Sequence, residues 1–418
     1  MKHHLRSSLF LTVIALFMLY VGCEKDASPS IYNPGKVDGA APVVNSVAPA
    51  DSAQGGVDTL IISGSNFSTV AAENLVYVNT TQAIIYQSSK TQLFAKAPRA
   101  EVGDSAFIRI AVQGAQKFSN GVYYKILPAI VDYGEETEPK LLGANEFVKA
   151  ITTDISGNVY VSITLTGVTV SSDLGIKKIS PDGTVTSFAP AAAGVSAVEP
   201  LKMGPNGSLY TIRGLKRRIF RYNPAGTDAG TAWHTFASGI EIEDFDFTPN
   251  KTLWAAGSNS NINNASIYAV LPTLPNPTVK TFPFPARVNS VRVYENYLYM
   301  SAQKDSAWGI WRAPLLPNDS LGTPELYFDF RAYGSAIPRG ITFSSSGDLY
   351  VGTDAPQGVV VIFPSKNSIA RYIDYSSLFG TSIKYFAWGN GTELYAVTTA
   401  GKLLKIKARV TSAPYYGQ

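Results

Sequence analysis

The stretch Asp154-Ile155-Ser156-Gly157-Asn158-Val159-Tyr160-Val161 decides the fold. An apolar run leads into a polar Gly-Asn turn, and a second apolar run carrying an aromatic follows. That is the signature of two antiparallel strands joined tightly. The wider segment ITTDISGNVYVS (151–162) recurs as LKMGPNGSLYTI (201–212), FDFTPNKTLWAA (245–256), VRVYENYLYMS (291–301), ITFSSSGDLYVG (341–352) and FAWGNGTELYAV (386–397). The second-strand aromatics are Tyr160, Tyr210, Trp254, Tyr299, Tyr350 and Tyr395, spaced by 50, 44, 45, 51 and 45 residues. A third strand follows each copy, for example 175–179 and 309–312. A fourth follows in most, such as 184–188 after the Pro181-Asp182-Gly183 turn. Four strands per repeat of this length make a propeller blade, and six copies make six blades. Too little chain remains after Ile406 for the last blade's fourth strand, so residues 126–133 are expected to supply it and latch the ring.

The first copy resembles the recurring phrase of NHL-repeat and gluconolactonase-like propellers, whereas the third and fourth copies are degenerate. Upstream, residues 42–126 carry several short alternating strands, which indicates a small β-sandwich. Pro42, Val47, Pro49, Gly55-Gly56 and Gly64-Ser65-Asn66-Phe67 resemble the IPT/TIG family of immunoglobulin-like domains. That resemblance implies a fold, commonly used as a spacer, and no activity. The fold class expected is therefore all-β: a small immunoglobulin-like sandwich at 42–126, then a six-bladed β-propeller at 127–418.

The chain opens with Lys2 and Arg6, then an apolar run from 9 to 22. Fourteen residues are too few to span a bilayer as a helix, and they suit the core of a secretory signal. The run ends at Tyr20-Val21-Gly22-Cys23, which resembles a bacterial lipobox. That resemblance implies cleavage after residue 22 and lipid on Cys23, hence a membrane partner. Residues 23–41 read as a flexible tether. Glu24 and Asp26 resemble the export signal of surface lipoproteins in the Bacteroidetes, so an outer-membrane, surface-exposed location is expected.

Composition narrows the chemistry. The 418 residues hold 35 basic and 31 acidic side chains, a net charge of +4 with no nucleic-acid footprint. Cys23 is the one cysteine, so an internal disulfide and a cysteine-built metal site are excluded. Beyond His3 and His4 the chain has a single histidine, His234, beside Trp233 in the outer part of blade two. Without an evident partner it is read as structural, and Ser-His-Asp catalysis is discounted.

Counting back from each aromatic places an apolar residue at the start of the inner strand: Ile151, Leu201, Phe245, Val291, Ile341 and Phe386. Two residues earlier lies the channel mouth: Lys149, Glu199, Glu243, Asn289, Arg339 and Lys384, with Asp244 adjacent. Gluconolactonase-like enzymes hold a divalent cation with central Glu, Asp and Asn oxygens, and calcium wants six to eight such ligands. Glu199, Glu243 and Asn289 stand on three consecutive blades, but Lys149, Arg339 and Lys384 stand on the other three and would repel a metal. No cofactor, metal or catalytic residue is therefore expected. The expectation is a mouth with cations on one arc and acids on the other. It would bind an anionic small molecule or a glycan, helped by the indole of Trp308 and the Asn-rich loop 257–264. The preferred reading is a non-enzymatic binding or scaffold protein. The alternatives are a metal-dependent lactonase-like hydrolase or lyase, and a protein–protein scaffold of the cell envelope marked by a broad apolar patch.

Overall fold

The computed structural model describes residues 39–165, 173–191, 198–213, 215–227, 230–273, 276–354, 356–380 and 382–417. The leader, Cys23 and the tether up to residue 38 lie outside the described residues. Two compact units result: residues up to Ala53 with Thr59–Ile126, and Gln54–Asp58 with Leu127–Gln418.

The first unit is built on two antiparallel sheets. Strands Val43–Ala48, Thr59–Ser65, Gln92–Lys96 and Ile85–Ser88 form one in that order. The other runs Ser52–Gly55, Val122–Pro128, Gly103–Val112, Asn74–Val78 and Thr81–Gln82. Alternation puts Leu60 and Ile62 from the first sheet, and Val76, Val78, Ile108 and Ile110 from the second, into one core at 0% exposure. Phe67 plugs that core. Gly64 is obligatory beside it: a Cβ there would lie 1.9 Å from the Val43 carbonyl oxygen.

The second unit is a ring of six antiparallel sheets, five of them four-stranded and the fourth five-stranded because Ser320–Leu321 adds to Ala307–Leu316 beside Glu325–Asp329. The inner strands are Glu146–Thr153, Leu201–Met203, Ile240–Phe247, Arg287–Tyr294, Ile341–Phe343 and Ile383–Trp388. Each pairs with the second strand of its own repeat, and the six aromatics take equivalent registers. Tyr160 faces Thr152, Tyr210 faces Lys202, Trp254 faces Asp246, Tyr299 faces Arg292, Tyr350 faces Thr342 and Tyr395 faces Ala387. All six aromatics are buried, as are the six apolar inner-strand residues. The repeat's turn explains itself in blade one. Gly157 takes a φ of +82° and its N–H closes onto the Asp154 carbonyl at 3.0 Å. Asp154 then accepts from Ser156 N, Asn158 N and the Tyr160 hydroxyl.

Blade six is completed from the front of the unit. Ile130–Asp132 pairs antiparallel with Leu403–Lys407, matching Ile130 to Ile406 and Asp132 to Leu404. Its outer strand therefore precedes blade one in the chain, and the ring closes through hydrogen bonds.

Candidate binding site at the channel mouth

Four of the six mouth residues share a backbone device. Register slips between Val148 and Ala150, Ile242 and Asp244, Val288 and Ser290, and Ile383 and Tyr385. The residues skipped are Lys149, Glu243, Asn289 and Lys384. A bulge leaves one residue out of the ladder and re-aims its side chain. In blades two and five the paired inner strand begins only after Glu199 and Arg339, and Arg339 N donates to Gly352 O at 2.8 Å. In four of the six blades the sequence spacing therefore picked out the position that the ladder skips.

Their charges do not stay on separate arcs. Lys384 of blade six reaches Glu199 of blade two at 2.7 Å, both partly buried. Glu243 is held by Lys216 at 2.5 Å. Arg339 meets Asp354 through Nε at 3.1 Å, and its carbonyl accepts from Ser301 Oγ at 2.5 Å. Asn289 donates its amide to the Pro338 carbonyl at 2.9 Å. The dipolar mouth expected from the sequence is thus largely cancelled pairwise, because lysine stems are long enough to cross it.

Asp244 and Trp308 need correction as mouth groups. Asp244 is wholly buried: one oxygen accepts from Phe245 N, the other from Ser290 Oγ and Val291 N. The register slip at Glu243 turns it into the joint between blades three and four. Burial pushes its carboxyl pKa up against the pull of nearby Lys202. Trp308 is half-buried against the core shared by blades four and five, so its indole is not an open sugar platform. In the Asn-rich loop, Asn259 and Asn261 turn their side-chain oxygens onto Asn261 N and Asn263 N, the work of turn formers.

Sequence reasoning missed the row below. The residues facing the aromatics include Lys202, Asp246 and Arg292. Asp246 accepts from Phe247 N and Val293 N and pairs with Arg292 at 2.7 Å. Arg292 also donates to the Pro414 carbonyl at 3.0 Å and lies over the Tyr415 ring. Tyr415 in turn donates to the Met203 carbonyl at 2.9 Å. Residues 411–415 thus run from blade five, where Ser345 N donates to Thr411 O and Ala413 N to Phe343 O, to blade two across the channel. Burial drives the phenols of Tyr385 and Tyr415 far above their ordinary pKa, with neighbouring carboxylates adding to the effect. The same counting, stopped at eight residues before the aromatic, would have found this row. Its apolar neighbours made it read as core.

A divalent cation does not fit the mouth as the residues stand. Glu199 and Glu243 each give one oxygen to an ammonium group, which puts a positive charge beside each carboxylate where a cation would have to sit. Among the described residues no three Asp, Glu, His or Cys side chains converge on a metal position.

Residues 42–126 match the family model of the IPT/TIG domain. No curated protein matches the chain. Among solved structures, one provisionally assigned as a gluconolactonase aligns at a TM-score of 0.51 and 14% identity, over 66% of this chain and 92% of that one. An auxiliary nutrient binding protein from Bacteroides thetaiotaomicron aligns at 0.49 and 10%, over 89% and 99%. The calcium-binding protein regucalcin from Agrobacterium tumefaciens aligns at 0.49 and 16%, over 64% and 93%. The class is an all-β protein with an immunoglobulin-like domain followed by a six-bladed propeller.

Proposed function

We propose that the propeller is a non-catalytic binding module whose mouth takes an anionic small molecule, with acidic sugars the leading class. One observation carries this reading: the mouth's carboxylates are already engaged while part of its cationic capacity is not. Lys149 has no ion-pair partner among the described residues. Arg339 uses Nε alone on Asp354, which leaves its terminal nitrogens to receive a carboxylate or sulfate in the forked geometry arginine favours. Titration of the chain with oligogalacturonate against neutral oligogalactose tests it. The acidic oligomer should bind, and Arg339→Ala should weaken it tenfold or more with the melting temperature nearly unchanged. Equal affinity for the two oligomers, or loss of stability with affinity intact, would return Arg339 to a purely structural part.

The location belongs to the same proposal. The apolar run ending at Cys23 supports a lipid-anchored protein of the cell envelope, with Glu24 and Asp26 favouring the outer surface. Cys23→Ser should abolish fatty-acid labelling and move the protein to the soluble fraction. Undiminished labelling removes the anchor.

A further inference from the structure

A cavity lies at the end of the channel away from the mouth, near the turns joining inner to second strands. Its volume is about 230 Å³, several times the ~30 Å³ of a liquid water. Lys202, Thr152, Thr342, Phe386, Trp388 and Tyr415 are among the residues lining it.

The polar groups of this wall are unbalanced in one direction. The Lys202 side chain is only 14% exposed, yet its one charged neighbour, Asp244, stands at 3.6 Å, beyond hydrogen-bond reach. Its three N–H donors have no hydrogen-bond acceptor among the described residues. Asp244 does not depend on it, being satisfied by Ser290 Oγ and two backbone N–H groups. Thr152 Oγ1 accepts from Met203 N and Thr342 Oγ1 accepts from Trp388 Nε1, each at 3.0 Å, so each hydroxyl proton is still to be donated. The acceptors nearby are occupied: Asp154 takes four hydrogen bonds, and the Trp388 carbonyl takes the Thr153 hydroxyl at 2.5 Å. Arg292 is committed to Asp246, Val293 O and Pro414 O. A mostly buried ammonium with idle donors carries a desolvation cost that an acceptor would relieve. Ile151, Ile341, Phe386 and Trp388 give the wall its apolar part, beside the polar Asp154, Asn390, Ser412 and Tyr415.

We infer that this cavity is a binding site for a small organic carboxylate, its acid end on Lys202, Thr152 and Thr342 and its carbon body against Phe386 and Trp388. The site is separate from the mouth and does not require the reading given for it.

Calorimetric titration of the full chain with acetate, butyrate and benzoate, and with neutral benzamide, tests the assignment. At least one carboxylate should saturate a single site, with benzoate ahead of benzamide by tenfold or more. Lys202→Met should abolish that preference, Lys202→Arg should keep most of it, and Arg339→Ala at the mouth should leave it intact. Should Lys202→Met not fold, Thr342→Val is expected to weaken benzoate severalfold while sparing benzamide. No saturation by any of the three acids, equal binding of benzoate and benzamide, or loss of the site in Arg339→Ala would overturn the inference.

Discussion

Asp246 and Arg292 meet at 2.7 Å with side chains 0% and 4% exposed, joining the inner strands of blades three and four. Asp244, two residues before Asp246, makes the matching link to Val291 and Ser290. Two carboxylates on one strand thus stitch to backbone N–H groups two apart on the next. Arg292→Met should therefore destabilise the propeller by about 3–5 kcal/mol, because it strands a buried carboxylate without its partner. The double variant Asp246→Asn/Arg292→Met should recover much of that loss. Urea unfolding of the two variants measures it, and equal stability of single and double variants would refute the coupling.

Ring closure rests on a short strand. Ile130 is 2% exposed within the core of blades five and six. Ile130→Ala should cost about 2–4 kcal/mol through lost burial and the cavity left behind. Hydrogen exchange should show Leu403–Lys407 losing protection before the strands of the other blades do. Uniform loss across the ring would mean the closure is no weak point.

Gly64→Ala should act on the first unit alone. The added methyl meets the Val43 carbonyl oxygen and the Phe67 ring, neither able to move far, at a cost of at least about 1–3 kcal/mol. Fluorescence and calorimetric traces should show one transition lowered and the propeller transition unmoved.

Acid should reveal His234. Half-buried and edge-on to Phe236 at 4.6 Å, its imidazole has a pKa pushed below the ordinary 6.5 by burial. The unfolded chain takes up a proton near pH 6.5 that the folded chain still refuses. The stability this group contributes is therefore present above pH 6.5 and is lost as pH falls through that value toward the folded pKa. The urea midpoint should drop between pH 7.5 and 5.5, and His234→Gln should flatten the drop. An unchanged slope in that variant would show that other groups set it.

The repeat was legible because a buried aromatic and an apolar inner-strand residue recur at fixed spacing, as Tyr160 with Ile151 and Tyr350 with Ile341 do. The freed mouth position followed from the same count, so Lys149, Glu243, Asn289 and Lys384 were found together. What the spacing lacked was reach. Nothing in the sequence says that Lys384 spans blade one to meet Glu199, or that Glu243 takes Lys216. Polarity was the second blind spot. Asp244 reads as a surface acid until the bulge at Glu243 turns it inward, and Trp308 reads as exposed until blade five covers it. The third and fourth repeats look degenerate because their turns, Thr248-Pro249-Asn250-Lys251-Thr252 and Tyr294-Glu295-Asn296-Tyr297, lack the Asp and Gly that shape the turn of blade one.

The pairing of Ile130 with Ile406 ties positions 276 apart in the chain. Contacts of such separation form late, after the entropy of a very long loop has been overcome. Until then Leu403–Lys407 is a bare sheet edge, open to pairing with another copy. Lys405 and Lys407 sit on that edge, and Lys405 finds Glu136 at 2.8 Å only in the finished ring. Like charges on an open edge repel an identical strand, whereas in the closed ring Lys405 faces an acid that the closing segment itself carries.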